Sequence, residues 1–238
     1  MVNDGSKDNT LKVLQKLSEE DKRIKVINQV NSGVSQARNN GLKNASGKFI
    51  GFVDADDYID ITMYEKMYKK AEEFNCDIVI CNVNDVKGEE KKVSLCLEEG
   101  VIDMDNLIKE DFLCEKYCKL GTAVWHKIFK TELIKENNIK FINYSEVASE
   151  DTLFNFEAML KAKKIYCLDE PLYNYIIRAG STMRQKSYNK KLESIFVVLE
   201  HLENEFKKRN LYFKYKDELE YIYIEHLLYA ASRTFFIL

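Results

Sequence analysis

Three carboxylates in four positions, placed at the end of a short apolar segment, are the residues of this sequence best suited to chemistry. Residues 48–53 are rich in aromatic and β-branched side chains, which predicts a strand buried on both faces. Asp54, Asp56 and Asp57 follow it, where ligands bind in open α/β sheets. Such a cluster repels itself unless a cation or protons intervene, and its oxygens suit Mg²⁺ or Mn²⁺. An acidic cap for the helix expected near Thr62 explains the tetrapeptide equally well.

A second segment with chemical potential is residues 31–41. Gly33 allows a turn, Ser35 is a suitable N-cap, and Arg38 falls in the first turn of the helix that should follow. A helix N-terminus beside an arginine favours anions. An ordinary capped surface helix would have the same sequence features, so this segment alone leaves both interpretations open.

A third candidate is the acidic pair Glu150 and Asp151, which opens an amphipathic helix. Acids are favourable at the positive end of the helix dipole. Taken alone, such a pair is more often a helix cap than a catalytic group.

Length and composition restrict the class of protein. With 238 residues the chain forms one large domain, or one domain with an appendage. A net charge of -3 gives no basis for nucleic-acid binding. The six cysteines form no Cys-x-x-Cys pair, which favours buried, reduced thiols. Neither a signal peptide nor a membrane-spanning apolar stretch is present in the sequence, so we expect a soluble, cytoplasmic protein.

The elements that must position these acids alternate between strands and helices. This rhythm predicts an α/β fold with a largely parallel sheet covered by helices. Residues 1–6 predict a turn with no preceding strand. The predicted strands are 24–28, 48–53, 77–83, 164–168 and 172–177. The predicted helices begin near residues 10, 35, 62, 131 and 149 and cover 103–116, 191–209 and a last segment from about 216.

Six short motifs occur in a fixed order along residues 1–182. They are Val2-Asn3-Asp4-Gly5-Ser6 with Asn9-Thr10, Asn31-x-Gly33-x-Ser35-x-Ala37-Arg38-Asn39-x-Gly41, Phe52-Val53-Asp54-Ala55-Asp56-Asp57, Trp125-His126-Lys127-Ile128-Phe129, Glu150-Asp151-Thr152-Leu153-Phe154 and Tyr173-x-Tyr175-x-x-Arg178-x-x-Ser181. Each motif is weak alone, but the six in this order resemble the family 2 glycosyltransferases with the GT-A fold, especially the bacterial capsule and exopolysaccharide type. The resemblance implies a GT-A domain over residues 1–182 and leaves residues 183–238 as a helical C-terminal extension.

The resemblance also implies roles for single residues. Those implied are Asp151 with Glu150 as catalytic acids, Asp4, Arg38, Asp54 and Asp56 for the nucleotide sugar, Asp56 and Asp57 for Mn²⁺ or Mg²⁺, and Trp125, His126 and Arg178 on the acceptor side. In such enzymes the metal neutralises charge on the departing diphosphate. A carboxylate removes the proton from the acceptor hydroxyl. The anomeric centre is then inverted.

The function implied is transfer of a sugar from a nucleotide-diphosphate sugar, UDP-sugar first, to a hydroxyl of a glycan or lipid-linked glycan in bacterial surface polysaccharide synthesis. No nucleic acid is implied. The protein would work in the cytoplasm or in peripheral association with the inner face of the cell membrane. Two alternatives stay open. One is a non-catalytic remnant of the same fold that acts as a binding module, and the other is a phosphatase that uses Asp54 and Asp56.

Three features of the chain depart from the family pattern. The strand, helix and strand that normally precede the Asp4 motif are absent, so an N-terminally truncated domain is expected. His126 stands where the family often has asparagine or aspartate, and it is interpreted as an acceptor-side change and not as a metal ligand. Asn3 replaces the first acid of the common Asp-Asp-Gly-Ser form.

Overall fold

The computed structural model describes residues 1–103, 108, 123–143, 150–178, 188–221 and 223–224. Within these residues the chain has an α/β fold. The strands are β1 Val2–Asp4, β2 Ile27–Gln29, β3 Phe49–Gly51, β4 Tyr58–Ile59, β5 Ile78–Lys87, β6 Glu90–Leu95, β7 Gly100–Val101, β8 Lys127–Lys130 and β9 Ile165–Ile176. The helices are α1 Thr10–Glu20, α2 Val34–Asn44, α3 Met63–Phe74, α4 Thr131–Glu136, α5 Glu150–Lys161 and α6 Tyr188–Lys208.

Seven strands form one mixed sheet. Its main order is β3-β8-β5-β9-β4, with β6 added to β5 and β7 added to β9. In this sheet only β5 and β9 are parallel neighbours in the described part of the chain, and every other described pair is antiparallel. The prediction of a largely parallel sheet is therefore wrong. The strand and helix rhythm could not reveal that β8 lies between β3 and β5 and runs against both of them.

Two strands at the start of the chain form a separate parallel sheet. Val2 pairs with Ile27 and Asp4 pairs with Gln29. The prediction of a turn without a strand at residues 1–6 is thus incomplete, because β1 precedes the turn. A three-residue strand with one buried side chain is too short to show the two-residue periodicity of a strand.

The core lies on both faces of the large sheet, and β5 supplies side chains to each. Ile78 and Ile80 face a cluster that also contains Phe129 and Phe154. Val79 and Cys81 face a second cluster that contains residues of α3. Successive side chains of a strand point to opposite faces, so a continuous apolar run is what such a central strand requires.

Strand β3 is covered on one face more than on the other. Ile50 is buried, whereas Gly51 and Val53 are exposed to solvent. The prediction that residues 48–53 form a strand buried on both faces is therefore wrong. Gly51 nevertheless allows a close approach, because a Cβ at this position would lie 2.6 Å from Cε1 of Tyr64. The ring of Tyr64 therefore packs directly on the backbone of the strand that leads to the acidic residues.

Helix α6 packs against α5. Val198, Leu202 and Phe206 belong to the same core cluster as Phe129 and Phe154. The division of the chain into residues 1–182 and 183–238 stays a prediction. The expected helix at 103–116 lies almost entirely outside the described residues, and so does most of the segment from 216 onward.

Across the described ranges, no helix has both the length and the apolar character needed to cross a bilayer.

Candidate active site

The loop that follows β3 carries the acids, and β9 fixes its shape. The hydroxyl of Tyr173 donates to Asp57 Oδ2 at 2.8 Å and accepts the backbone N–H of Asp54 at 3.2 Å. The backbone N–H of Ile176 donates to Asp57 Oδ1 at 2.8 Å. Burial raises the pKa of the Tyr173 hydroxyl and the nearby Asp57 adds to this effect, so the hydroxyl keeps its proton and can donate. The loop is thus held in place before any ligand binds.

Asp57 is mainly occupied by these contacts with β9. Burial raises the pKa of its carboxyl, the bonds from Ile176 and Tyr173 lower it, and the charges of Asp56 and Asp54 raise it further. The net direction is upward. The repulsion expected from three neighbouring acids is therefore present around Asp57.

Asp56 points outward from the same loop. Its side chain is 54% exposed, and its nearest described cation is Arg178, with Nη1 4.0 Å from Oδ2. Arg178 also donates to the backbone carbonyl of Asp56 at 3.0 Å. Arg178 was predicted on the acceptor side, and the structure places it at the acidic loop.

Arg38 joins the acidic loop to the start of α5. Its guanidinium donates to Asp54 Oδ1 at 3.0 Å, to Glu150 Oε1 at 3.3 Å and to Asp151 at a shorter distance. The side chain is only 13% exposed, and the ring of Phe141 lies 5.3 Å from the guanidinium carbon. Burial lowers the pKa of Arg38, but the three carboxylates outweigh that effect, so the charge is held firmly. One buried cation therefore gathers three of the predicted site acids.

Asp151 has the electrostatics of a proton acceptor. Burial raises the pKa of its carboxyl to about 7, with Arg38 opposing the shift, Glu150 and Asp54 adding to it and Lys127 opposing it. The effect expected from the sequence is that of the helix dipole alone, whereas burial is the dominant cause of the shift. A base whose pKa lies near the working pH is effective in general-base catalysis.

Asp4 is bound to the backbone at the start of α2. Its carboxylate accepts bonds from the N–H groups of Ser32 at 2.8 Å and Gly33 at 2.9 Å, and from Gln29 Nε2 at 2.8 Å. Burial raises the pKa of Asp4, but these bonds outweigh it and hold the pKa below its usual value. Gly33 adopts a φ of 87°, which suits glycine and lets the backbone turn toward the carboxylate.

The remaining acceptor-side predictions fall on the segment that leads into β8. The Trp125 ring stacks on Tyr173 at 4.2 Å between centroids and on Tyr175 at 5.7 Å. His126 is 1% exposed, which does not favour direct contact with an acceptor. Lys127 is fully buried and donates to Ala123 O at 2.6 Å and to the His126 Nε2 at 2.8 Å.

The acidic residues offer few free ligands for a divalent cation. Among the described residues, no group of three or more His, Cys, Asp or Glu side chains is arranged so that it could hold a metal ion. Asp56 offers an exposed oxygen ligand, while Asp57 and Asp54 are engaged by β9 and Arg38. Mg²⁺ is often held by one or two carboxylates together with substrate phosphates and water. The residues therefore fit a metal that arrives with a diphosphate, and the roles of Asp56 and Asp57 as its ligands stay predictions.

Three contributors to the site were missed when each motif was considered alone. They are the Tyr173 hydroxyl, the Phe141 ring and the buried Lys127 charge. Each acts on a residue far away in the chain, so no local pattern marks it. A lysine stands at each end of β8, and the sequence does not show that Lys127 is fully buried while Lys130 is only partly buried.

Comparison with known proteins decides the family. The model of "Glycosyl transferase family 2" matches residues 1–144, which is more than half of the chain. The chain belongs to glycosyl transferase family 2. The matched region contains Asp4, Arg38 and the acidic loop, and Asp151 follows it.

Relatives of this family 2 chain include bacterial glycosyltransferases. It is 34% identical to the uncharacterized glycosyltransferase EpsJ of Bacillus subtilis, covering 74% of this chain and 51% of that protein. It is 32% identical to the poly(ribitol-phosphate) beta-glucosyltransferase of Bacillus spizizenii, covering 79% and 28%. The family 2 chain thus spans about half or less of these relatives.

A solved structure shows the same fold. The crystal structure of S. aureus TarS 1–349 in complex with UDP-GlcNAc has a TM-score of 0.70 and 28% identity to this family 2 chain. The match covers 85% of this chain and 56% of the TarS chain. The α/β fold with a mixed sheet and flanking helices is therefore one that a family 2 relative also has.

Proposed function

We propose that this chain transfers a sugar from a UDP-sugar to a hydroxyl group of an acceptor used in bacterial surface polysaccharide or teichoic acid synthesis, with inversion at the anomeric carbon. Membership of family 2 supports the reaction class. The solved relative that contains UDP-GlcNAc supports the UDP donor, and the poly(ribitol-phosphate) relative supports a surface polymer as acceptor.

The observation that carries the proposal is the pair of contacts made by Arg38. The guanidinium binds Asp54 at the end of β3 and Asp151 at the start of α5. The donor-side acid and the proposed base therefore lie on two sides of one cation, which is the proximity that a direct displacement requires.

The proposed chemistry assigns one task to each group. Asp151 accepts the proton from the acceptor hydroxyl while the oxygen of that hydroxyl bonds to the anomeric carbon. The bond from the anomeric carbon to the nucleotide diphosphate breaks in the same step. Asp54 and Asp4 are proposed to hold the nucleoside part of the donor. A bound Mn²⁺ or Mg²⁺ supplies charge neutralisation for the leaving diphosphate, and Asp56 is its proposed protein ligand.

Nucleotide release tests this function. The purified chain would be incubated with Mn²⁺ and separately with UDP-glucose, UDP-GlcNAc, UDP-galactose and, as controls, GDP-mannose and ADP-glucose, with and without ribitol oligophosphate. We expect UDP release from at least one UDP-sugar, and none from the GDP and ADP donors.

Isothermal titration of the same donors distinguishes a glycosyltransferase from a non-catalytic binding module. Donor binding without release under any of these conditions would favour the non-catalytic binding module. Absence of both binding and release for every UDP-sugar would contradict the proposed function.

A further inference from the structure

A cavity of about 730 Å³ lies between α2 and the segment that follows α4. Its size is within the range of cavities that hold small molecules or a few sugar units. It is lined by residues 36, 39, 42 and 43 of α2 and by residues 134, 135 and 138–143, and none of the acids of the candidate active site lines it. No role has yet been given to it.

The charge of the cavity has one sign. Lys43, Lys135 and Lys140 line it, and among the described residues no aspartate or glutamate does. Neither Lys43 nor Lys140 forms an ion pair with any described part of the chain, although the sequence as a whole has a net charge of -3. Three lysines thus line the cavity, and the described residues that line it include no acid to balance them.

The ends of two helices offset only part of this charge. Lys43 lies in the last turn of α2 and Lys135 in the last turn of α4, where a cation stabilises the negative end of the helix dipole. Each helix end carries about half a negative charge, so two ends amount to about one unit against three lysines. Lys140 belongs to neither helix, and the cavity keeps an excess of about two positive charges.

The walls of the cavity are fixed by hydrogen bonds. Asn39 donates to Phe141 O at 2.8 Å and accepts the Phe141 N–H at 2.9 Å, which ties the outgoing segment to α2. Lys135 Nζ donates to Ala45 O at 2.8 Å, which ties α4 to the end of α2. Asn138 holds a left-handed backbone with a φ of 50°. A site with fixed walls spends less binding energy on ordering itself.

The cavity adjoins the candidate active site. Phe141 lines the cavity, and its ring also lies 5.3 Å from the guanidinium carbon of Arg38. Gln36 and Asn138 line the same space, and amide side chains can donate to and accept from hydroxyl groups. The cavity thus combines positive charge, amide side chains suited to hydroxyl groups and a lining residue, Phe141, that also contacts Arg38.

We propose that this cavity binds a polyhydroxylated anion, namely an anionic unit of the acceptor chain, with the lysines contacting its charged group and the amides its hydroxyls. Its assignment to the acceptor rests on the proposed function. The anion binding itself does not, because it needs neither donor nor turnover. Both a phosphodiester-linked polyol and a uronic acid carry this chemistry.

The test is direct binding of three small probes. Ribitol 5-phosphate, glucuronic acid and neutral ribitol would be titrated into the whole chain at 50 mM and 300 mM salt, with and without saturating UDP. We expect at least one of the two anions to bind at least about tenfold more tightly than ribitol, and its binding to weaken at high salt. The stronger anion identifies the source of the charge.

Two lysine variants locate the binding. The variant Lys43→Gln/Lys140→Gln keeps the bond from Lys135 to α2, and we expect it to weaken anion binding about tenfold or more. A control that replaces the exposed lysines 12 and 25 by glutamine removes the same charge elsewhere, and we expect less than a twofold change.

The outcomes that would overturn the proposal are distinct. They are equal binding of ribitol and both anions, equal effects of the two variants, or loss of anion binding when UDP is added, since UDP competition would place the probe in the donor site. UDP binding by the Lys43→Gln/Lys140→Gln variant should match the parent. A parent chain that releases no UDP from any donor would count against the proposed function alone.

Discussion

Arg38 of α2 forms an ion pair with Asp151 of α5, 113 positions later in the chain. The pair is the shortest of the contacts that Arg38 makes with three carboxylates. Its positive charge opposes the effect of burial on the pKa of Asp151. The pKa of the proposed base is thus lowered by a residue that is distant from it in the sequence.

The effect of Arg38 on the pKa of Asp151 should be visible in the pH dependence of sugar transfer. Asp151 must be ionised to accept a proton, and its pKa is about 7. We expect kcat to rise with pH through about 7 and to level off above it. In Arg38→Gln the cation that lowers the pKa is lost, so the same limb should move to higher pH. A limb at the same pH in both proteins would contradict the coupling.

The raised pKa of Asp151 should also make the free energy of unfolding depend on pH. Asp151 has a pKa of about 7 when folded, against 3.8 for an ordinary aspartate, so the folded protein binds one more proton than the unfolded chain between about pH 4 and 7. Its contribution to the free energy of unfolding is present at the lower end of this window and falls by up to about 1.4 kcal/mol per pH unit as pH rises. Urea unfolding of the parent and Asp151→Asn should therefore show the variant gaining relative stability from pH 5 to pH 8. A constant difference would exclude the raised pKa.

Removal of the proposed base should affect chemistry and not donor binding. Asp151→Asn is expected to lower kcat by ~100-fold or more, the usual range for a general base. Donor affinity, measured by titration calorimetry, should stay within about twofold of the parent because the diphosphate contacts are proposed elsewhere. Glu150→Gln is the matched control, since Glu150 also contacts Arg38. A large loss in Glu150→Gln with full activity in Asp151→Asn would transfer the base role to Glu150.

Asp56 should control the metal dependence of donor binding. We expect Mn²⁺ or Mg²⁺ to bind weakly alone and more tightly with UDP, because the protein offers too few ligands by itself. Asp56→Asn should abolish the increase in donor affinity that Mn²⁺ produces. Asp85→Asn, which removes one acid from β5, serves as the control. A variant at position 56 that retains the full Mn²⁺ effect would rule out Asp56 as the metal ligand.

The hydroxyl of Tyr173 should stabilise the acidic loop. Tyr173→Phe leaves the ring and its stacking on Trp125 in place but removes the bond to Asp57. We expect a loss of about 1 to 3 kcal/mol in the free energy of unfolding, because a half-buried carboxylate loses a donor. Tyr175→Phe keeps the other stacked ring and should be close to neutral. Equal unfolding midpoints for the two variants would show that the hydroxyl does not hold the loop.

The sequence predicted those parts of the structure that depend on neighbouring residues. The helix near 62–74 is α3, and the strand at 77–83 is the first part of β5, because apolar periodicity and end signals are local. The expected strands 164–168 and 172–177 are one strand, β9, interrupted only by a shift of register. The direction of β8 was not predictable, since pairing direction depends on chain reversals that the pattern does not record.

The candidate site, like the fold, could be predicted from the sequence only in part. The order of six motifs indicated that Asp54 and Asp151 belong together, but only through resemblance to a family. The contacts that set their chemistry, from Arg38, Tyr173 and Phe141, join positions 16 to 119 residues apart. Side chains brought together only by tertiary packing carry no spacing signal in the sequence.

The separation of β1 and β2 from the large sheet has a consequence for amide hydrogen exchange. Amides of β5, buried between two core clusters, should exchange only through global unfolding, whereas those of β1 should exchange through a smaller opening. Asp4 links β1 to the backbone of Ser32 and Gly33, so such an opening also frees the start of the helix that carries Arg38. If Asp4 and Asp54 hold the nucleotide as proposed, donor binding should slow exchange at β1 and α2 together.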